Sequence, residues 1–390
     1  MDRSLMRRLK LTPRPDWQAK AEAVGFVYHH TEGQAYWDEG VAYAFTLDQV
    51  EQDLEPAAAE LHDLCLDLVD EVAGSQELME RLAIPAEHRD FVAASWRAKS
   101  PSLYGRFDFG YDGQAKPKLY EYNADTPTSV FEAATFQWLW LEELIANGTL
   151  PANADQFNSL FEALRDRFKV LFPTGGFVHF ASDEDAVEDR QTVRFLEDLA
   201  LQAGVEPKFV AMDNIGLNEE GQFVDLEGFV LQAAFKLYPW EFMLREPYAA
   251  HLNTAQVRWI EPPWKAILSN KGVLPLLWER HRGHPNLLEA YFEGDPAASA
   301  LGGRFVRKPL FSREGANVEV VGGDEPVLDQ GYGAEGAIVQ AYHPPPDFDG
   351  RRPVVGAWMV GNEPAGIGIR EDDSVVTKNL ARFVPHVIEG

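Results

Sequence analysis

The chain has 390 residues, 62 of them acidic and 35 basic, for a net charge of −27. That balance excludes nucleic-acid binding, which needs a basic footprint. A hydrophobic content of 45%, with 12% aromatics, is that of a globular chain with a large core, long enough for two or three domains.

The N-terminal stretch MDRSLMRRLKLTPRPDW carries charge but no apolar core, so it does not read as a signal peptide. No apolar run reaches the length needed to span a bilayer. A cytoplasmic protein with no membrane partner is expected. His29 and His30 have no partner at metal spacing and are expected in a loop or at the surface. Thr46 and Gln49 form a capping box. Val50, Leu54, Ala58, Leu61, Leu64 and Leu68 follow at helical spacing. Cys65, the one cysteine, falls within that helix. It excludes an intramolecular disulfide and reads as a core thiol, not a nucleophile. A second helix is expected over about 85–98.

Residues 106–123, RFDFGYDGQAKPKLYEYN, read as a β-hairpin. Polar and aromatic residues alternate in RFDF and again in YEYN, and side chains two apart on a strand share a face. Asp112-Gly113 and Lys116-Pro117 supply the turn chemistry. A symmetric hairpin sets Asp108 opposite Glu121 and Arg106 opposite Asn123. Two carboxylates and an amide oxygen are hard ligands of the kind Mg²⁺ takes. Arg106 beside them can fork onto a phosphate or carboxylate. A solvated face with a cross-strand salt bridge fits the same pattern.

The segment SVFEAATFQWLWLEELIANG reads as an amphipathic helix closed by Gly148. From about residue 154 strand and helix alternate, which implies a small, mostly parallel sheet with ligands past its strand ends. The loop at 182–190 lies there and holds Asp183, Glu184, Asp185, Glu188 and Asp189. It is either an acidic helix start favoured by the macrodipole or an amine-binding mouth. WKAILSNKGVLPLLWERH is expected to be a helix broken near Gly272. GGRFVRKPLFSREGANVEVVGG reads as strand, glycine-bearing loop and strand. AIVQAYHPPP reads as a buried strand, and PVVGAWMVGNEPAGIGIRED as a hairpin turning at Gly361-Asn362.

Walker A, HExxH, GxSxG and paired CxxC motifs are missing. The GxGxxG at 331–336 precedes a strand, not a helix, so it reads as a turn. The phosphate-handling candidates are Lys308 at a strand end, Arg313 and Gly315 in the loop that follows, and Lys265 after Trp264. A glycine loop presents N–H groups to phosphate oxygens while lysine and arginine neutralise them.

The motifs YGRFDF…KLYEYNADTPTS, FKLYPWE, WKAILSNKGVLPLLWE, RKPLFSREGAN and GIREDDSVVTKNLARFVPH together resemble the synthetase domain of glutathionylspermidine synthase and its single-domain relatives, within the ATP-grasp superfamily. The resemblance spans about residues 16–386. It implies a mixed α/β (α+β) protein with a circularly permuted ATP-grasp fold and an inserted, smaller pre-ATP-grasp α/β domain. The expected parts are residues 1–150, a helical region with the metal-binding hairpin; 151–255, the substrate domain; and 256–390, the ATP-binding part. Bifunctional members carry a cysteine amidase ahead of the synthetase, and that half is expected to be absent here.

The resemblance also implies an ATP-dependent ligase joining an acid to an amine through an acyl phosphate, with ATP and Mg²⁺ as cofactors. The metal residues fall on Asp108, Glu121 and Asn123, and the catalytic arginines on Arg106 and Arg370. The ATP lysines fall on Lys265 and Lys308, with Arg313 and Gly315 in the glycine-bearing loop. The adenine-facing strand falls on 339–341, including Gln340 and Ala341. Thr126, Thr128 and Ser129 meet the acid, and Glu188 and Asp189 the amine. The alternative from another class is a catalytically inactive ATP-binding regulatory or assembly protein of the same fold.

Overall fold

The structure is a computed structural model that describes residues 5–31 and 33–389. The predicted hairpin forms from strands Tyr104–Gly110 and Lys118–Asn123. Arg106 pairs with Asn123 and Asp108 with Glu121, as the alternation requires. Beyond Asp108 the register slips by one residue. On the opposite face Phe107 stacks on Tyr122, ring centroids 3.8 Å apart.

The hairpin is the edge of a five-stranded antiparallel sheet. Arg352–Val360 pairs with Tyr104–Gly110, followed outward by Glu363–Asp372 and Arg382–Val384. Trp358 lies opposite Arg106, and Gly356 opposite Asp108. Gly356 is required there by close approach, because a Cβ would sit 2.7 Å from Arg106 Cδ. The aromatic face of the sheet shares one hydrophobic core with the helix Glu55–Ala73 and the thiol of Cys65. Burial pushes that thiol up to about 12, so it stays protonated.

The alternating region forms a parallel sheet ordered Arg258–Ile260, Ala233–Leu237, Gly176–Ser182, Val205–Ala211. The helix Val187–Gln202 packs against it and gives way to Gly204 at φ +83. A third sheet, antiparallel, is ordered Ala290–Phe292, Ala337–Ala341, Phe305–Pro309, Glu319–Val321. Its two inner strands carry Gln340 and Lys308. The broken helix is two helices, Lys265–Leu268 and Val273–Arg280. Among the described residues no helix is long and apolar enough to cross a membrane.

His29 lies in a bend, buried edge-to-face against Trp17, and His30 is exposed. Two local expectations are corrected. The capping box of Thr46 and Gln49 forms, but the helix after it begins with a π-helical turn, Val50–Leu54. Pro56 has no N–H to give the carbonyl of Gln52, and Lys116 Nζ donates to that carbonyl at 3.0 Å. The helix Gln137–Ala146 likewise follows a π-helical turn, Glu132–Phe136.

Candidate active site

The polar face of the hairpin opens onto two adjoining cavities. Arg106, Glu121, Lys271, Ser312, Glu314 and Arg370 line both. The first offers about 1080 Å³ between the five-stranded sheet and the third sheet. One end is apolar, with Leu288, Val306, Val320 and Val354, next to the chain at 340–345. The other end carries Asp108, Glu121, Lys271 and Lys308. The second cavity, about 1070 Å³, runs from the hairpin to the start of helix Val187–Gln202.

At the hairpin the charges are already matched. Arg106 forks onto Asp108 at 2.6 and 3.0 Å, and its Nη1 donates to the Thr128 carbonyl at 2.8 Å and to Ser129 Oγ at 3.3 Å. Asn123 Nδ2 donates to Asp108 Oδ2 at 3.1 Å and to Glu121 Oε1 at 3.2 Å. Lys271 pairs with Glu121 at 3.2 Å and donates to the Ser312 carbonyl at 2.7 Å. Burial opposes ionisation of Glu121, but Lys271 and Lys308 prevail and hold its carboxyl down at about 2. Lys308 is buried, which brings its ammonium down to about 8 against the pull of Glu121.

Among the described residues no three His, Cys, Asp or Glu side chains form a metal-binding group by themselves. Asp108, Glu121 and Asn123 are the oxygen donors that a divalent ion at the hairpin would draw on, its shell completed by phosphate or water. That sparse oxygen set is the pattern of Mg²⁺, not of a dedicated protein cage.

The expected residues separate by where they lie. Arg106, Asp108, Glu121, Ser129, Lys308, Gly315, Gln340, Ala341 and Arg370 line the first cavity. Asn123, Thr126, Thr128, Glu188, Asp189 and Arg313 line the second. Gln340 turns its side chain to Lys308, whose Nζ donates to Gln340 Oε1 at 2.7 Å, and its own Nε2 donates to the Leu119 carbonyl at 3.2 Å. It orients the lysine as well as lining the pocket. Gly315 sits at φ +73, and a Cβ there would meet the Thr377 carbonyl at 2.7 Å.

Lys265 is a correction: it lines neither cavity. Its fully buried ammonium donates to the carbonyls of Tyr104 at 2.9 Å and Ala124 at 2.8 Å, and pairs with Glu261 at 3.3 Å. Those three partners hold it beneath the site. The lysine that reaches both cavities is Lys271, six residues on, which sequence reasoning missed. Its signal was its place beside the helix-breaking Gly272. Glu241 was also missed; it lines the second cavity, and burial raises its pKa.

The acidic loop divides. Asp183 and Asp185 form an exposed turn, with Asp185 N donating to Asp183 Oδ1 at 2.9 Å. Glu188 and Asp189 face the second cavity. Burial, then repulsion from Glu188, pushes Asp189 up to about 7 against the pull of Arg313. With Glu121, Asp125, Glu241 and Glu314 the cavity wall holds six carboxylates. Four cations share that wall, Arg106, Lys271, Arg313 and Arg370, and Arg313 is close enough to act on Asp189, Glu241 and Glu314. Carboxylates outnumber cations, so the wall is acidic on balance.

This arrangement is that of an ATP-grasp-type synthetase. The fold resembles the solved structure of a glutathione synthetase-like effector from Globodera pallida, with a TM-score of 0.55 at 10% identity over 89% of each chain. Residues 8–389 match the family described as glutathionylspermidine synthase preATP-grasp, and the chain belongs to that family. A Haemophilus influenzae protein named as an acid–amine ligase is 40% identical over 98% of this chain and 99% of its own length. Trypanothione synthetase of Crithidia fasciculata is 29% identical, covering 82% of this chain and 52% of that protein. The bifunctional glutathionylspermidine synthetase/amidase of Escherichia coli is 28% identical, covering 95% of this chain and 63% of that protein.

Proposed function

We propose that the first cavity binds ATP and the second brings an acid and an amine to its γ-phosphate. The chain is an ATP-dependent acid–amine ligase, a carbon–nitrogen bond-forming enzyme. The observation that carries this reading is the shared wall of Arg106, Glu121 and Lys271 between the cavities. The apolar end near 340–345 takes the adenine, and Lys271 and Lys308 face the phosphates. Asp108, Glu121 and Asn123 would hold Mg²⁺, which would supply positive charge against the ATP phosphates.

An acid seated by Thr126 and Thr128 in the second cavity, with Ser129 beyond them in the first, attacks the γ-phosphorus with its carboxylate. An acyl–oxygen–phosphorus bond forms and ADP leaves. Arg106 and Arg370 stabilise the charge that develops, by position and electrostatics. The amine then attacks the acyl carbon, inorganic phosphate departs, and the amine nitrogen gives up a proton. No protein nucleophile takes part. Glu188, Asp189 and Glu241 hold the amine as a cation before it reacts.

The relatives named above point to glutathione as the first acid to try and spermidine as the first amine. A single buried cysteine fits a reducing cytoplasm. Nothing observed favours an inactive binder. Screening acid and amine pools for ADP release that needs both, starting from glutathione and spermidine, tests the reading. ADP release indifferent to any amine contradicts it.

A further inference from the structure

The loop at 124–129 leaves the hairpin and carries the hydroxyls that face the acid. Almost every residue in it is gripped by a different part of the chain. The Ala124 carbonyl accepts from Lys265, the Pro127 carbonyl from Tyr104 Oη at 3.2 Å and the Thr128 carbonyl from Arg106, while Thr126 Oγ1 accepts from Arg313 Nη1 at 3.0 Å. Asp125 makes the grip that reaches the parallel sheet. Its Oδ1 accepts from Lys236 Nζ at 2.5 Å and its Oδ2 from the Trp240 N–H at 2.8 Å. Lys236 lies on the strand Ala233–Leu237, and its ammonium also rests over the Trp240 ring.

Both members of this pair are almost fully out of water, Asp125 at 1% exposure and Lys236 at 0%. A buried ion pair is weak evidence for stability, because well-packed neutral side chains often do as well. Burial lowers the Lys236 pKa and Asp125 opposes that shift. Each carboxylate oxygen of Asp125 already accepts one hydrogen bond, and at 1% exposure the group offers little surface to a substrate cation, although the residue borders the second cavity. The pair is therefore poorly explained by stability or by direct binding, and its place points to geometry.

We propose that Asp125 and Lys236 are positioning residues for acyl transfer. They tie the 124–129 loop to the parallel sheet, so that Thr126, Thr128 and the carbonyl that holds Arg106 keep their places where the two cavities meet. The pair also joins the sheet that presents Glu188 and Asp189 to the hairpin that presents Arg106. The acid and the amine thus meet across a single fixed frame. This rests on the ligase reading for its kinetic arm only.

The test compares wild type with Asp125→Asn, Lys236→Met and the double variant Asp125→Asn/Lys236→Met. Each single variant leaves a buried polar partner behind and is expected to melt lower. The double variant removes both charges and is expected to recover most of the lost melting temperature. It is nevertheless expected to exchange its amides over 124–131 about tenfold faster or more, with MgATP affinity unchanged. With glutathione and spermidine as probes, its kcat is expected to fall about a hundredfold while the ATP KM stays put, the scale of a misplaced reacting group. A double variant with wild-type exchange over 124–131 and wild-type kcat overturns the proposal and leaves the pair purely structural. Should wild type release no ADP with these probes, that result counts against the substrate reading, and the exchange comparison still decides the clamp.

Discussion

Lys265 and Lys271 lie six residues apart, and their partners assign them opposite tasks. Lys271→Ala removes the cation proposed to face the phosphates. It is expected to weaken MgATP binding by about ten- to a hundredfold, the range of one charge-assisted hydrogen bond, with a smaller loss of stability than at Lys265 because Lys308 still acts on Glu121. Lys265→Met leaves Glu261 buried and unpaired, so it is expected to cost about 3–5 kcal/mol of stability in denaturant unfolding. The reverse pattern would return Lys265 to the ATP site. On the acidic wall, burial pushes Asp189 up to about 7, so it keeps a proton for part of the time at neutral pH. A bound ammonium favours the carboxylate, so amine binding is expected to release up to one proton, read from the buffer dependence of the binding enthalpy. The raised pKa also sets the sign of this group's share of stability. The folded state holds a proton that the unfolded chain has already lost, so that share falls as pH rises from about 4 towards 7, opposite in sign to the share of His62, which burial lowers to about 4. Glu188→Gln with Asp189→Asn is expected to raise the amine KM about tenfold or more, to leave the ATP KM alone and to flatten that trend. An unchanged amine KM would remove both residues from the amine site.

At the level of elements, legibility followed the strength of the local period. Alternation of two placed Arg106, Asp108, Glu121 and Asn123 on one face and in register, because a one-residue slip would bury the charges. The same alternation is silent about the slip beyond Asp108, which depends on what the next strand needs. The helix Gln76–Arg81, capped by Ser75, went unnoticed because six residues carry too little periodicity. Lys271 was hidden for a related reason. Once a helix breaks, spacing no longer says which side faces the cavity, and the turn before Val273 decides it. The strand Arg352–Val360 gives a prediction of its own. Gly356→Ala puts a methyl against the Arg106 stem, an overpacking that costs about 1–3 kcal/mol. It is expected to lower kcat through Arg106 by tenfold or more while ATP affinity changes little. Steady-state kinetics beside an ATP isotherm checks this, and a wild-type kcat would show that Arg106 has room to spare.

Across the whole molecule, strands from residues 104–123 and 352–384 close one sheet, the third sheet roofs the first cavity, and the starts of the helices Val187–Gln202 and Trp240–Met243, which follow strands of the parallel sheet, border the second. No single stretch of chain contains the site. Local pattern found its pieces, and the family resemblance supplied their joint purpose. The central claim is that a carboxylate takes the γ-phosphoryl group at the shared wall before the amine arrives. The most direct measurement uses ¹⁸O in the carboxylate of whichever acid supports amine-dependent ADP release. The account predicts one ¹⁸O in each inorganic phosphate formed, with ADP as the nucleotide product. Unlabelled phosphate, or AMP with pyrophosphate, would contradict it.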